Sequence, residues 1–272
     1  MHGIGNDYVY FDAFDGMPDN PSEIAIKLSD RHTSIGGDGV IFVTSSDKGD
    51  GFMRIFNLDG SEGKMCGNGI RCVGKFLYEI KGIKKSVLKV ETLSGVKTLT
   101  LDVKEGKVVS VKVDMGKAEL RPKNIPALIG GDRAIKEPLK VGCAIFEVTL
   151  VSMGNPHCVT FVDDLNDLEI EKIGPHFENH AAFPERINTE FVKILRRNEI
   201  AMRVWERGSG ETMACGSGAC AAAVASILNG YCEKNRDVLV HLRGGDLRIR
   251  YTDEAVFMTG GAELAFTGEV EL

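Results

Sequence analysis

The sequence predicts an α+β protein of two similar halves, each wrapping short strands around one central helix. Three observations carry that prediction. The chain repeats itself at an offset of 149 residues; each copy contains β-rich runs with strand periodicity; and each places Cys-Gly-polar-Gly at the start of a helical pattern. The repeat is plainest where it runs ungapped. Met53-Arg54-Ile55-Phe56-Asn57 falls on Met202-Arg203-Val204-Trp205-Glu206. At the same offset Gly5-Asn6 falls on Gly154-Asn155, Phe42-Val43 on Phe191-Val192, and Cys66-Gly67 with Gly69 on Cys215-Gly216 with Gly218. MGKAEL at 115–120 echoes TGGAEL at 259–264 at a slightly different offset and is expected to end each half.

The elements follow in order. Residues 52–57 and 201–206 are β-rich, and 108–114, 146–151 and 247–251 alternate apolar and polar side chains as strands do. Helices are expected over 70–80 and 219–228. The second, ACAAAVASIL, is small and apolar nearly throughout, so it is expected to be buried on most sides. Pro and Gly cluster over 121–138, which marks the join. The halves are therefore placed at 1–120, completed by the C-terminal stretch 262–272, and at 121–261. The strand at 146–151 leads into Met153-Gly154-Asn155. Its first-half counterpart would lie before Met1, so that strand is either cut away or lacking.

Composition excludes several classes. A net charge of -6 disfavours nucleic acid and anionic membrane as partners. No apolar run is long enough to span a membrane, and the N-terminus has no basic region followed by an apolar one, so no export signal is expected. Seven cysteines, an odd number, with no C-x-x-C spacing argue for reduced thiols in a cytoplasm and against structural zinc. No metal is expected. No phosphate-binding glycine loop follows a strand, and no lysine has a pyridoxal-phosphate context, so no cofactor is expected either.

A Gly-rich helix start offers unpaired N–H groups and the positive end of the helix dipole, which together make an anion site and lower the pKa of a thiol placed there. Cys66 and Cys215 both have that address. If the halves are related by a pseudo-two-fold, the two helix starts can face one another, with a small carboxylate held between two thiols. That arrangement suits inversion at a carbon next to a carboxylate: one thiolate takes the α-proton and the opposite thiol supplies one to the other face. The plainer reading of a cysteine beside glycine is a small buried hydrophobe, and it is kept for Cys72, Cys143, Cys158, Cys220 and Cys232. His157 is as readily a hydrogen-bonded structural histidine as a catalytic one. Asn6, Asn155 and Asn188 have the local context of turn formers, and Glu206 with Arg207 that of a solvated pair.

Six motifs in order resemble the diaminopimelate epimerase family: HGIGNDY at 2–8, RHTSIGGDG at 31–39, NLDGSEGKMCGNGIRC at 57–72, MGNPHCV at 153–159, RINTEFV at 186–192 and WERGSGETMACGSGAC at 205–220. The resemblance covers nearly the whole chain. It implies two domains, each a β-barrel-like mixed sheet around a central helix, a homodimer, and cofactor-independent interconversion of LL- and meso-diaminopimelate in lysine and peptidoglycan precursor biosynthesis. By matching position it makes Cys66 and Cys215 base and acid. It assigns the α-carboxylate to the backbone amides of Gly67, Asn68, Gly216 and Ser217, and the substrate pocket to Asn6, Asn57, Asn155, Asn188, Glu206 and Arg207. Arg207 suits the distal carboxylate, and His157 and Glu206 match residues placed near the cysteines. Tyr8 stands where the family usually has Phe, Gly39 where some members have Gln, and the strand before MHGIGND is missing. Three rivals remain: a racemase of another amino acid in the same superfamily, a thiol hydrolase using Cys215 and His157, and a redox or metal-binding protein.

Overall fold

The computed structural model describes residues 1–271. The chain divides into two compact units, Met1–Asp114 with the segment from Thr259 onward, and Met115–Met258. The first unit holds, in chain order, β1 (His2–Gly3), β2 (Asn6–Asp7), β3 (Val9–Asp12), α1 (Pro21–Ser29), β4 (Gly39–Thr44), β5 (Gly51–Asn57), β6 (Glu62–Gly63), α2 (Gly67–Glu79), β7 (Val87–Thr92), β8 (Gly95–Lys104) and most of β9 (Lys107–Gly116). The second holds β10 (Glu137–Val141), β11 (Ala144–Ser152), β12 (Pro156–Phe161), α3 (Ile170–Glu178), β13 (Asn188–Arg196), β14 (Glu199–Glu206), β15 (Gly210–Glu211), α4 (Gly216–Leu228), β16 (Asp237–Leu242), β17 (Gly245–Tyr251) and the start of β18 (Val256–Gly260).

Each unit's sheet is mixed, and the two share one pattern. In the first the strand order is β3-β4-β5-β7-β8-β9, and in the second β12-β13-β14-β16-β17, preceded by β11 and β10. β3/β4 and β5/β7 are parallel with β4/β5 antiparallel, and β12/β13, β14/β16 and β13/β14 repeat those senses. Adding 149 to the ends of α1 gives those of α3, and the same shift carries α2 onto α4. The duplication read from residues is thus a duplication of structure.

The central helices are α2 and α4. α2 packs on β5, β7 and β8, and α4 on β11, β12, β13, β14, β16 and β17. α4 is buried from Gly218 through Ser226, as its all-round apolar sequence predicts. Ala, Gly and Cys let strands approach on every side, since each presents little more than a methyl group. Beside this helix the second unit has an aromatic core, with Phe177 edge-on to both Phe146 and Phe191 at centroid distances of 5.1 and 5.4 Å.

Four features depart from the sequence reading. Both central helices begin three residues earlier than periodicity indicates, because their first turns are Gly-rich and are held by a cysteine cap rather than by propensity. The nine-residue helices α1 and α3 were not expected; α3 carries Gly174-Pro175, which breaks a periodic reading. Cys143 is exposed in the tight β10–β11 turn, whereas Cys72, Cys158, Cys220 and Cys232 are buried. The first AEL segment, placed by sequence in the first half, lies in the second unit, where Glu119 pairs with Ser152; Glu263 pairs with His2 in the first unit, to which the sequence assigns 262–272. Among the described residues no helix is long and apolar enough to cross a membrane.

Gly174 of α3 lies against the face of Trp205, the chain's one tryptophan; an added Cβ would stand 2.3 Å from the indole Cδ2. Gly→Ala inside a helix ordinarily stabilises by up to ~1 kcal/mol. Here the rigid ring leaves no room, and Gly174→Ala is expected to destabilise by about 1–3 kcal/mol. Urea denaturation followed by Trp205 fluorescence measures it, and an unchanged midpoint would contradict this packing.

Candidate active site: two cysteine-capped helix starts

Both candidate cysteines are N-cap residues. Cys66 caps α2 from extended backbone at φ −125°, ψ 120°, and Cys215 caps α4 at φ −119°, ψ 111°. Each sulfur accepts the N–H of the third helical residue, Gly69 or Gly218, at 3.3 Å. Each cysteine carbonyl accepts the fourth N–H, from Ile70 or Ala219, at 2.9 Å. The first two amides, Gly67 and Asn68 on α2 and Gly216 and Ser217 on α4, occupy positions that no intrahelical carbonyl reaches. The third residue is closely overlain by strand side chains, which would have to shift for any side chain there. A Cβ on Gly69 would lie 2.7 Å from Ile41 Cδ1, and one on Gly218 would lie 2.7 Å from Glu190 Oε1.

In the first unit a tight turn delivers Asn6 to Cys66. Ile4 and Gly5 both have positive φ, 51° and 86°, the backbone that closes a two-residue hairpin. Cys66 Sγ donates to Asn6 Oδ1 at 3.3 Å, while Asn6 Nδ2 donates to Asp38 Oδ2 at 2.6 Å. Arg31 in turn donates to Asp38 Oδ1 at 3.0 Å. Burial and the adjacent Cys66 push the Tyr8 phenol well above its usual range, which keeps it neutral. Asn57, at the end of β5, donates to Ser61 Oγ at 3.1 Å. The buried Asn68 accepts from Arg71 Nη1 at 2.9 Å, and Arg71, wholly buried, also donates to the carbonyls of Gly67 and Gly261.

In the second unit His157 is wholly enclosed. Its Nδ1 meets Glu190 Oε1 at 2.7 Å and its Nε2 meets Asn155 Oδ1 at 3.1 Å. Asn155 Nδ2 donates to Ser217 Oγ at 3.2 Å, and that hydroxyl lies 3.5 Å from Cys215 Sγ. Glu206, at the end of β14, accepts from Thr212 Oγ1 at 2.5 Å. Asn188 is buried and engaged at both ends of its amide: its Nδ2 donates to the Pro156 carbonyl at 2.7 Å, and its Oδ1 accepts the Arg207 N–H at 3.0 Å. The hairpin carrying Arg207 is also pinned by Glu178 of α3, which accepts from Gly208 N–H at 2.9 Å and from Trp205 Nε1 at 2.7 Å. Arg207 Nη1 donates to the Glu185 carbonyl at 2.9 Å. Among the described residues no group of three or more His, Cys, Asp and Glu side chains gathers as metal ligands would.

Comparison with known proteins bears directly on this arrangement. The profile of the family described as diaminopimelate epimerase matches residues 1–121 and 149–265. The chain belongs to the diaminopimelate epimerase family. A diaminopimelate epimerase of Agathobacter rectalis is 53% identical, over 100% of this chain and 98% of that one. One of Methanococcus maripaludis is 48% identical, again over 100% and 98%. Among solved structures, a probable proline racemase from Agrobacterium radiobacter K84 with bound carbonate superposes with a TM-score of 0.67 at 14% identity, covering 98% of this chain and 92% of that one. A phenazine biosynthesis protein of the PhzF family from Enterococcus faecalis gives 0.65 at 15% identity, covering 97% and 92%. At such identities these two likenesses speak for the fold alone.

Reading this family member from sequence missed three supporting residues: Arg71, Glu178 and Glu190. Glu190 carries a signal that was there to be used, since the 149-residue offset sets it opposite Ile41, a carboxylate where the other copy is apolar. The sign of one electrostatic expectation also reverses. A helix-start address was expected to lower the thiol's pKa; burial, then Glu206 and Glu190, push Cys215 well above the ordinary range, against the opposing hydrogen bonds from Ser217 and Gly218 N–H.

A raised pKa means that the thiolate forms only as pH climbs beyond the ordinary cysteine value. In the ligand-free protein the alkylation rate of Cys215, read by peptide mass spectrometry, is therefore expected to keep rising above pH ~8.5, where a free cysteine is half ionised. A rate that levels off at or below that pH would contradict the burial argument.

Proposed function

We infer that this chain interconverts LL- and meso-diaminopimelate without a cofactor, using Cys66 and Cys215 as the two proton-transfer groups. The observation that carries the reading is the pair of cysteines in one and the same cap geometry, one per repeat, in a member of this family. In one direction a cysteine thiolate takes the α-proton and becomes a thiol, the C–H electron pair moves into the carboxylate-stabilised carbanion, and the other thiol protonates the opposite face and becomes a thiolate. The reverse direction exchanges the roles. Helix-start amides at Gly67, Asn68, Gly216 and Ser217 stabilise the charge that builds on the α-carboxylate. Asn6, Asn57, Asn155, Asn188 and Glu206 line the pocket, with His157 in support, and Arg207 takes the distal carboxylate. A homodimer working in the cytoplasm completes the proposal, with lysine and peptidoglycan precursors as the destination.

A hydrolase built on Cys215 and His157 would need the imidazole on the sulfur. Both ring nitrogens are instead engaged, by Glu190 and Asn155, and Cys66 would have no purpose. A racemase of a one-headed amino acid would leave Arg207 without a carboxylate.

Incubation with LL-diaminopimelate in deuterated water is expected to give meso product bearing deuterium at the inverted carbon, while substrate recovered early keeps its hydrogen. Product that retains hydrogen would rule out two-base transfer. Cys66→Ala and Cys215→Ala are each expected to lower kcat by at least ~10²–10⁴-fold, the contribution of a positioned acid or base, with the fold retained by circular dichroism. Near-normal turnover in either variant would sink the mechanism.

Arg207→Ala should raise KM for diaminopimelate by roughly 10–100-fold, the worth of a charged hydrogen bond. A KM that does not move would favour a substrate without the second carboxylate.

A further inference from the structure

The two cysteines sit at the ends of hydrogen-bond chains that run in opposite senses. The first chain begins at an acceptor. Asp38 Oδ2 takes the Asn6 amide hydrogen, which turns Asn6 Oδ1 toward Cys66 as an acceptor for the S–H. The second begins at a buried pair. Asn155 donates its Nδ2 hydrogen to Ser217, so its Oδ1 must be the acceptor toward His157 Nε2, and that nitrogen must carry the hydrogen. Ser217 Oγ, having accepted from Asn155, keeps its own hydrogen available for Cys215 Sγ, 3.5 Å away. Cys66 is thus offered an acceptor, which favours the thiol, and Cys215 a donor, which favours the thiolate.

Glu190 anchors the second chain. With Nε2–H fixed, the 2.7 Å contact between His157 Nδ1 and Glu190 Oε1 holds one further proton between the two. Both side chains are wholly buried, and Glu190 Oε2 has no hydrogen-bond partner. An orphaned buried carboxylate oxygen is costly, and the fold keeps it where the other repeat has Ile41. Burial pushes the Glu190 carboxyl up, with the charge on His157 opposing it.

Resting on the two-thiol reading above, we propose that Glu190 is a positioning residue for Cys215, acting through His157, Asn155 and Ser217 to aim the Ser217 hydroxyl at the sulfur. The groups facing this chain are His157 and Cys158 on β12, Glu206 on β14, and Cys215 at the start of α4. Through space the Glu190 charge disfavours the Cys215 thiolate, but the proton shared across the 2.7 Å contact with His157 offsets that charge, so replacing Glu190 by an apolar residue changes the net charge little. It removes the constraint on which nitrogen of His157 is protonated.

The test titrates Cys215 in the ligand-free full-length chain, so it stands or falls apart from turnover. The pH dependence of Cys215 modification by methyl methanethiosulfonate, read by peptide mass spectrometry, is compared for wild type, Ser217→Ala, Glu190→Leu, Glu190→Gln, Asn155→Ala and the Glu190→Leu/Ser217→Ala double variant. Ser217→Ala and Glu190→Leu should each move the midpoint upward by about one pH unit, the worth of one hydrogen bond to a charged group. The double variant should move no further than Ser217→Ala alone. Glu190→Gln should return the midpoint toward wild type, since its amide N–H can donate to Nδ1 and keep the sense of the chain. Should the buried Leu prevent folding, Asn155→Ala cuts the same chain at a partly exposed position and should give the same upward shift. A midpoint that stays or falls in Glu190→Leu, or that stays in Asn155→Ala when Glu190→Leu does not fold, would overturn the proposal, as would shifts that add in the double variant. A fall is what a purely through-space negative charge at Glu190 would give.

Discussion

The structure turns on a sulfur that caps a helix. Cys66 and Cys215 hold extended backbone and accept the third N–H of the helix that follows. The acceptor is a weak one, so the cap itself contributes modestly, on the order of 1 kcal/mol. Its consequence is positional. It fixes each sulfur at the positive end of a helix dipole, beside two amides with no intrahelical partner. It also brings Gly69 and Gly218 close over strand side chains, Ile41 and Glu190, which a larger residue would push aside. The helix cannot slide along its sheet without losing both contacts, so the place of each sulfur is set by the packing of the whole unit.

The same logic explains the exchange of closing segments. Glu263 pairs with His2 and Glu119 with Ser152, so each unit is completed by residues that follow the other repeat's last long strand. Neither repeat closes its own sheet. Arg71 secures the closing segment of the first unit by donating to Gly261 from a fully buried position in the first turns of α2.

Much of this was legible because duplication provides its own alignment. The offset of 149 fixed the cysteine pair, both central helices and the strands before them. What escaped did so for physical reasons. The helix starts were read three residues late because Gly67, Gly69, Gly216 and Gly218 have poor helix propensity, and a tertiary cap overrides it. α1 and α3 are too short for periodicity to speak, and α3 contains Pro175 and also Gly174, whose missing side chain leaves room for Trp205. The raised pKa of Cys215 depends on burial by residues far away in sequence, which no local motif reports. Glu190 was hidden inside a strand that reads as ordinary β structure.

The differences between the halves matter more than their likeness. A reaction that inverts a carbon with two thiols needs one as thiolate and the other as thiol when substrate binds, and identical surroundings would give them no reason to differ. At equivalent positions the chain has Tyr8 and His157, Ile41 and Glu190, Asn57 and Glu206, Asn68 and Ser217. Every one of these substitutions adds a titratable or hydroxyl group near Cys215 that the copy near Cys66 lacks, or exchanges one polar group for another of different hydrogen-bonding sense. Burial, Glu206 and Glu190 disfavour the Cys215 thiolate, while Ser217 and the Gly218 N–H favour it. The net result is a Cys215 thiol held well above its ordinary range, and on the two-thiol reading proposed above Ser217 and the Gly218 N–H are the groups that work against that rise when the sulfur has to give up its proton.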